Sequence, residues 1–264
     1  MASNQCDEMS QSRSQPLIDI VPDPQGVASR AAGWIADRIS QAPGTFRIAL
    51  AGGNTPRALY RELASGPFRD RIDWHRIELF WGDERYVPQD DIRSNYRMVR
   101  ETLLAHVPVP VEHVHPIMPQ SDIESAARKY EEVLKGIYGA ETLSPQRQIF
   151  DLVLLGVGND GHTASLFPGD SALEERTRWV SAVPHETEPR ITLTYPAIQS
   201  SRAVAFLVTG VEKSEAVRRA LEGDLILPAA RVQSEGDIIW FLDRAAASRL
   251  KGAAGFVSGS ECRD

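Results

Sequence analysis

Apolar and polar positions follow a repeating two-part rhythm along this 264-residue chain. A short apolar run at 17–21 is followed over 25–40 by Val27, Ala31, Trp34 and Ile35 at helical spacing, which predicts a strand and then an amphipathic helix. The pairing recurs as a strand at 46–51 with a helix at 56–64, a strand at 76–81 with a helix at 94–105, and a strand at 114–117 with a helix at 122–138. Further strands are predicted at 150–155, 179–183, 190–194, 204–208 and 238–242, with helices at 212–221 and 244–250. Strands that alternate with helices pair in parallel through crossovers. The pattern therefore predicts one α/β domain, a mainly parallel, doubly wound sheet with helices on both faces. Residues 150–155 are apolar at nearly every position, as a central strand covered on both faces requires. Residues 1–16 read as a disordered polar leader, 17–250 as the single α/β domain and 251–264 as a flexible tail.

Composition narrows the class. A formal net charge of -7 argues against a nucleic-acid partner, which needs a basic face to displace counterions. Cys6 and Cys262 both lie in polar terminal segments, so neither a disulfide framework nor a zinc site is indicated and a reducing compartment fits. The first residues lack the apolar run of a secretory signal, and no stretch reaches the roughly 20 apolar residues of a membrane span. A cytoplasmic protein with no membrane partner is expected.

Three segments could carry chemistry, each just past a predicted strand. In the first, Gly52, Gly53, Asn54 and Thr55 precede Pro56, with Thr55 as the expected N-cap. Two glycines let backbone approach a ligand, and a helix N-terminus offers N–H donors to a phosphate. No Gly-Lys-Ser/Thr follows, so this is not a Walker loop. The second holds Asp83, Glu84 and Arg85, acids to orient a sugar hydroxyl and a guanidinium to clamp a phosphate. The third runs Gly156-Val157-Gly158-Asn159-Asp160-Gly161-His162. Its glycines match the dinucleotide fingerprint in letters, but Asp160 would face the pyrophosphate, Pro168 interrupts the helix and no acid closes the next strand. A nicotinamide cofactor is therefore not expected. His162 instead reads as a general base, with the Asp160 carboxylate two residues earlier to orient it. Ser165 lacks the elbow of a hydrolase serine and reads as structural. Arg190 and Lys213, each beside a predicted strand end, add cations suited to a dianionic phosphate. The catalytic set expected from this pattern is His162, Asp160 and Asp83, with Gly52, Gly53, Asn54, Thr55, Arg85, Arg190 and Lys213 around the substrate and no metal.

These segments, with Ser94-Asn95, Arg190-Ile191-Thr192-Leu193-Thr194 and Thr209-Gly210, resemble the 6-phosphogluconolactonase family in order from about residue 17 to 250. The resemblance implies a sugar-phosphate isomerase-like fold and hydrolysis of 6-phosphoglucono-δ-lactone to 6-phosphogluconate in the oxidative pentose phosphate pathway. It implies no cofactor, a small phosphorylated lactone as the only required partner, and a monomer or small homo-oligomer. By the same resemblance His162 is the base, and Gly53, Thr55, Arg85, Arg190 and Lys213 contact phosphate and sugar. Ala51 and Asn54 stand where serines are common. The expected mechanism has His162 activate water, N–H groups of its glycine-rich turn hold the oxyanion, and the same imidazole protonate the leaving oxygen. A glucosamine-6-phosphate deaminase or isomerase is the nearest alternative, but it uses a second acid just beyond the histidine, and here no acid follows before Asp170. A non-catalytic sugar-phosphate sensor is the other.

Overall fold

The structure is a computed structural model that describes residues 15–185 and 187–251. The expected leader and tail lie outside the described residues, apart from Gln15, Pro16 and Lys251. In chain order the elements are β1 (Leu17–Val21), α1 (Pro24–Gln41), β2 (Phe46–Leu50), α2 (Asn54–Leu63), the short α3 (Gly66–Arg69), β3 (Ile77–Trp81) and β4 (Asp83–Arg85). Next come α4 (Asn95–Val99), continued as a π-helical turn over Arg100–Leu104, then β5 (Val114–His115), α5 (Ile123–Tyr138), β6 (Leu152–Leu155), β7 (Val180–Val183) and β8 (Arg190–Leu193). The chain ends with α6 (Tyr195–Gln199), β9 (Ala203–Val208), α7 (Ser214–Leu221) and β10 (Asp237–Asp243).

Local chemistry sets several of these boundaries. Asp23 caps α1 by accepting from Gly26 N at 2.8 Å, with Pro24 opening the helix, and Asp122 caps α5 by accepting from Ser125 N at 2.8 Å. Gly139, at φ 75°, takes the left-handed conformation that ends α5.

Seven strands form one parallel sheet in the order β1-β10-β9-β6-β2-β3-β5, the α/β architecture that the alternation predicts. All four residues of β6 and all six of β9 are buried, so the continuous apolar runs do mark the sheet centre. The strand order places the site. From β2 the chain steps outward to β3, whereas β6, on the other flank of β2, leads on to β9. The order reverses between β2 and β6, and in open α/β sheets a crevice opens beyond the carboxyl ends at such a point.

Two expectations need correction. The strands at 179–183 and 190–194 do not join the parallel sheet. As β7 and β8 they form an antiparallel hairpin, and β8 pairs on its other side with β4, giving a second sheet ordered β4-β8-β7. The six residues between them, 184–189, are too few for a parallel crossover. The segment 244–250 is a series of turns rather than a helix. The Asp243 carboxylate accepts from Ala246 N at 2.7 Å and from Gly210 N at 3.1 Å, tying the chain to the end of β9. Among the described residues no helix is long and apolar enough to cross a membrane.

Candidate active site

The carboxyl ends of β9, β6, β2 and β3 lie side by side in the sheet and carry the segments singled out by the sequence. At the end of β2 the chain turns through Gly53, at φ 100°, and starts α2 at once. Gly53, not Thr55, is the N-cap. Thr55 Oγ1 is instead 2.8 Å from Thr209 Oγ1, which joins this turn to the end of β9. Asn54 and Gly53 are exposed on the turn, and the first-turn N–H groups lack partners within the helix. Beneath it, the buried Tyr60 hydroxyl accepts from Ala51 N at 3.0 Å and donates to Ala51 O at 2.8 Å. Tyr130 repeats the arrangement at the end of β3, accepting from Trp81 N at 2.8 Å and donating to Trp81 O at 3.1 Å.

Asp83, Glu84 and Arg85, placed by the sequence just past β3, form β4. Its antiparallel register with β8 sets Asp83 opposite Thr192 and Arg85 opposite Arg190. Like charges directly across a strand pair destabilise it, so the two guanidiniums call for a counter-charge. Burial holds the Arg190 guanidinium below its usual range, and the charge of Arg85 adds to this. Arg85 Nε is buried with no acceptor, while another of its nitrogens donates to Arg93 O. Glu188 lies 3.6 Å from Arg190 but also takes Arg93 at 2.7 Å, so it compensates only in part.

The two acids of β4 are occupied by the protein itself. Glu84 accepts from Asn95 N at 2.8 Å, Tyr96 N at 2.7 Å and Ser94 Oγ at 3.0 Å. It thereby anchors the start of α4; burial raises its carboxyl pKa, and these bonds work against the rise. Asp83, only 7% exposed, accepts from Ser165 Oγ at 2.7 Å and Asn95 Nδ2 at 3.3 Å. Ser165 N in turn donates to Thr192 Oγ1 at 3.2 Å. The Asn95 carboxamide packs so tightly on Gly52 that a Cβ there would overlap it. One buried network thus locks the glycine turn, β4, β8 and the histidine loop together. Ser165 is structural, as its sequence context suggests.

The third segment leaves β6. Thr163 Oγ1 donates to Gly156 O at 2.8 Å, Gly158 N to His162 O at 2.8 Å and Gly161 N to Gly158 O at 3.0 Å, closing a tight loop. Gly161 sits at φ 81° under Leu227 and accepts from Ala229 N at 3.0 Å. On this loop His162 Nδ1 lies 2.6 Å from Asp160 Oδ1, and the His162 side chain is 32% exposed. Burial would raise the Asp160 carboxyl pKa, but the charge of His162 and its hydrogen bonds outweigh that and lower it. An ionised carboxylate at this distance accepts a hydrogen bond from Nδ1–H, which keeps the proton on Nδ1 and leaves the lone pair of the neutral ring on Nε2. The Phe167 ring is 4.6 Å from His162 and 4.2 Å from His185, so an aromatic stack backs the imidazole.

Sequence reasoning set no weight on Phe167 and His185, and Asn95 entered only as part of a motif. Lys213 lies half-buried just past Gly210, at φ 100°, beside the Thr55–Thr209 contact in the chain. Part of the expected oxyanion donor set is engaged within the loop itself. The N–H groups of Gly158, Gly161 and His162 are all used within the loop, the last by Asp160 at 3.2 Å. Among the described residues no group of three or more His, Cys, Asp or Glu is arranged to hold a metal ion.

A family model described as glucosamine-6-phosphate isomerases/6-phosphogluconolactonase matches residues 22–240. A 6-phosphogluconolactonase of Synechocystis is 40% identical over 244 residues, covering 89% of this chain and 99% of that protein. The solved structure of 6-phosphogluconolactonase from Trypanosoma cruzi superposes with a TM-score of 0.77 at 30% identity, covering 90% of this chain and 98% of the other. A monomeric glucosamine-6-phosphate deaminase gives a TM-score of 0.73 at 25% identity, covering 88% and 99%. The match over most of the length places the segments just described on a common framework, and the chain belongs to the glucosamine-6-phosphate isomerase/6-phosphogluconolactonase family.

Proposed function

We propose that this chain hydrolyses 6-phosphoglucono-1,5-lactone to 6-phosphogluconate, as a cytoplasmic carboxylic ester hydrolase. The observation that carries the reading is the His162–Asp160 pair, held on a rigid loop at the sheet's reversal point with Nε2 free. Relatives named 6-phosphogluconolactonase at about 40% identity over nearly their whole length support the substrate.

A δ-lactone needs water activated at its carbonyl carbon and a proton for the ring oxygen. His162 Nε2 takes a proton from water as the water oxygen bonds to C1. The C1–O5 bond then breaks, and the imidazolium returns that proton to O5. Asp160 stabilises the imidazolium between the two steps. With the N–H groups of Gly158, Gly161 and His162 used within the loop, the other N–H groups of the glycine-rich turn are left to stabilise the tetrahedral oxyanion. Arg85, Arg190, Lys213 and the N-terminus of α2 at Gly53, Asn54 and Thr55 hold the phosphate and fix the lactone over Nε2. Asp83 acts through Ser165 and Asn95 as a positioning residue.

The deaminase alternative requires an acid soon after the histidine. Here Thr163 and Ser165 are taken up by Gly156 O and Asp83, and Phe167 stacks on His162. The assay compares freshly generated 6-phosphogluconolactone, unphosphorylated gluconolactone and glucosamine 6-phosphate, each against a no-enzyme blank. Acceleration confined to the phosphorylated lactone supports the reading. Turnover of glucosamine 6-phosphate alone would replace it with the deaminase.

A further inference from the structure

Two helices begin at the site, and a cavity of about 350 Å³ lies between them on the side away from their first residues. Arg57 and Arg61 of α2 line one wall, and Met98 of α4, Glu101 of its π-helical extension and His106 just beyond it line the other. The two arginines stand one helical turn apart, a spacing at which like charges weaken a helix. Nearby, Arg69 and Arg71 pair with Asp70 and Asp37, whereas Arg57 and Arg61 have no acidic partner among the described residues. Arg57 Nε is buried with no acceptor. Glu101, the acid in the cavity, accepts from Arg97 Nε at 2.7 Å; the Arg57 charge also acts on it, but the two form no hydrogen bond or ion pair. His106 Nε2 lies 3.0 Å from Glu101 O. A buried donor with no acceptor, beside a second guanidinium without an acidic partner, is the arrangement that favours an anion.

We propose that this cavity binds a small oxyanion, inorganic phosphate or a phosphate monoester, through forked contacts from Arg57 and Arg61. None of its lining residues is Arg85 or Arg190, which lie on β4 and β8. Its existence does not depend on the lactonase reading.

Equilibrium dialysis of the full chain against radiolabelled inorganic phosphate, at constant ionic strength, tests it. The Arg57→Gln/Arg61→Gln variant should lose one class of bound phosphate that the Arg85→Gln/Arg190→Gln variant keeps. An isotherm for Arg57→Gln/Arg61→Gln that superposes on wild type would overturn the proposal while leaving the lactonase reading untouched. Should that double variant fail to fold, Arg61→Gln alone, at an exposed position, should weaken the same class several-fold, and unchanged binding there would equally overturn it.

Discussion

Tyr60→Phe probes how the phosphate turn is held. The hydroxyl is fully buried and makes two bonds, accepting from Ala51 N and donating to Ala51 O, where β2 gives way to Gly52 and Gly53. Burial, the larger effect, pushes its phenol far above the usual range, so it stays protonated and keeps both roles. Phenylalanine keeps the ring and opens no cavity of note, so the loss is confined to two buried backbone groups left without partners. At roughly 1–3 kcal/mol for each unsatisfied buried group, with some relaxation, the cost is about 3 kcal/mol. For a chain of this size that lowers Tm by roughly 6–12 °C. The turn should also lose its fixed geometry, raising KM for the phosphorylated lactone while changing kcat less. Urea denaturation and steady-state kinetics read the two effects. A stability change below about 0.5 kcal/mol, the range of neutral surface changes, would refute the reasoning.

Other perturbations follow from the same geometry. Asp160→Asn should lower kcat by about 100-fold or more, in line with the loss of an oriented general base. Gly158→Ala puts a Cβ where His162 Nδ1 and Asp160 Oδ1 meet, so kcat should fall comparably with KM little changed. Glu78 is held at about 2 by His115, 3.8 Å away, against the opposing effect of burial and with help from Arg47 Nε at 2.7 Å. Its folded pKa is depressed from 4.5, so its stabilisation is present above that value and lost as pH falls toward 2. At most about 3 kcal/mol is involved, and the stability gap between wild type and Glu78→Gln should close across that window in acid titration.

Much of this architecture is legible in the sequence because it is local. The apolar run of β6, the Asp caps of α1 and α5, and the glycines at the ends of β2 and β6 each declare themselves within a few residues. What was not legible depends on partners distant in the chain. Asp83-Glu84-Arg85 has the composition of a charged loop and becomes a strand only because β8, over a hundred residues later, pairs with it. The same distance hides the true role of Asp83, whose partner Ser165 is 82 residues away. Thr55 looks like an N-cap, yet Gly53 at φ 100° ends the turn earlier and frees the threonine for Thr209. His185 carries no motif of its own and reaches the site only through Phe167. The turns at 244–250 have helical composition, but Asp243 caps Gly210 and Ala246 instead of starting a helix.

The central claim is that His162 Nε2 activates water at the lactone carbonyl. The most direct measurement is kcat for freshly generated 6-phosphogluconolactone with wild type and His162→Ala, each corrected for spontaneous opening, with phosphate-ligand affinity measured in parallel. The account predicts a fall of about 100- to 10,000-fold in kcat with affinity retained. Near-normal turnover by His162→Ala would contradict it.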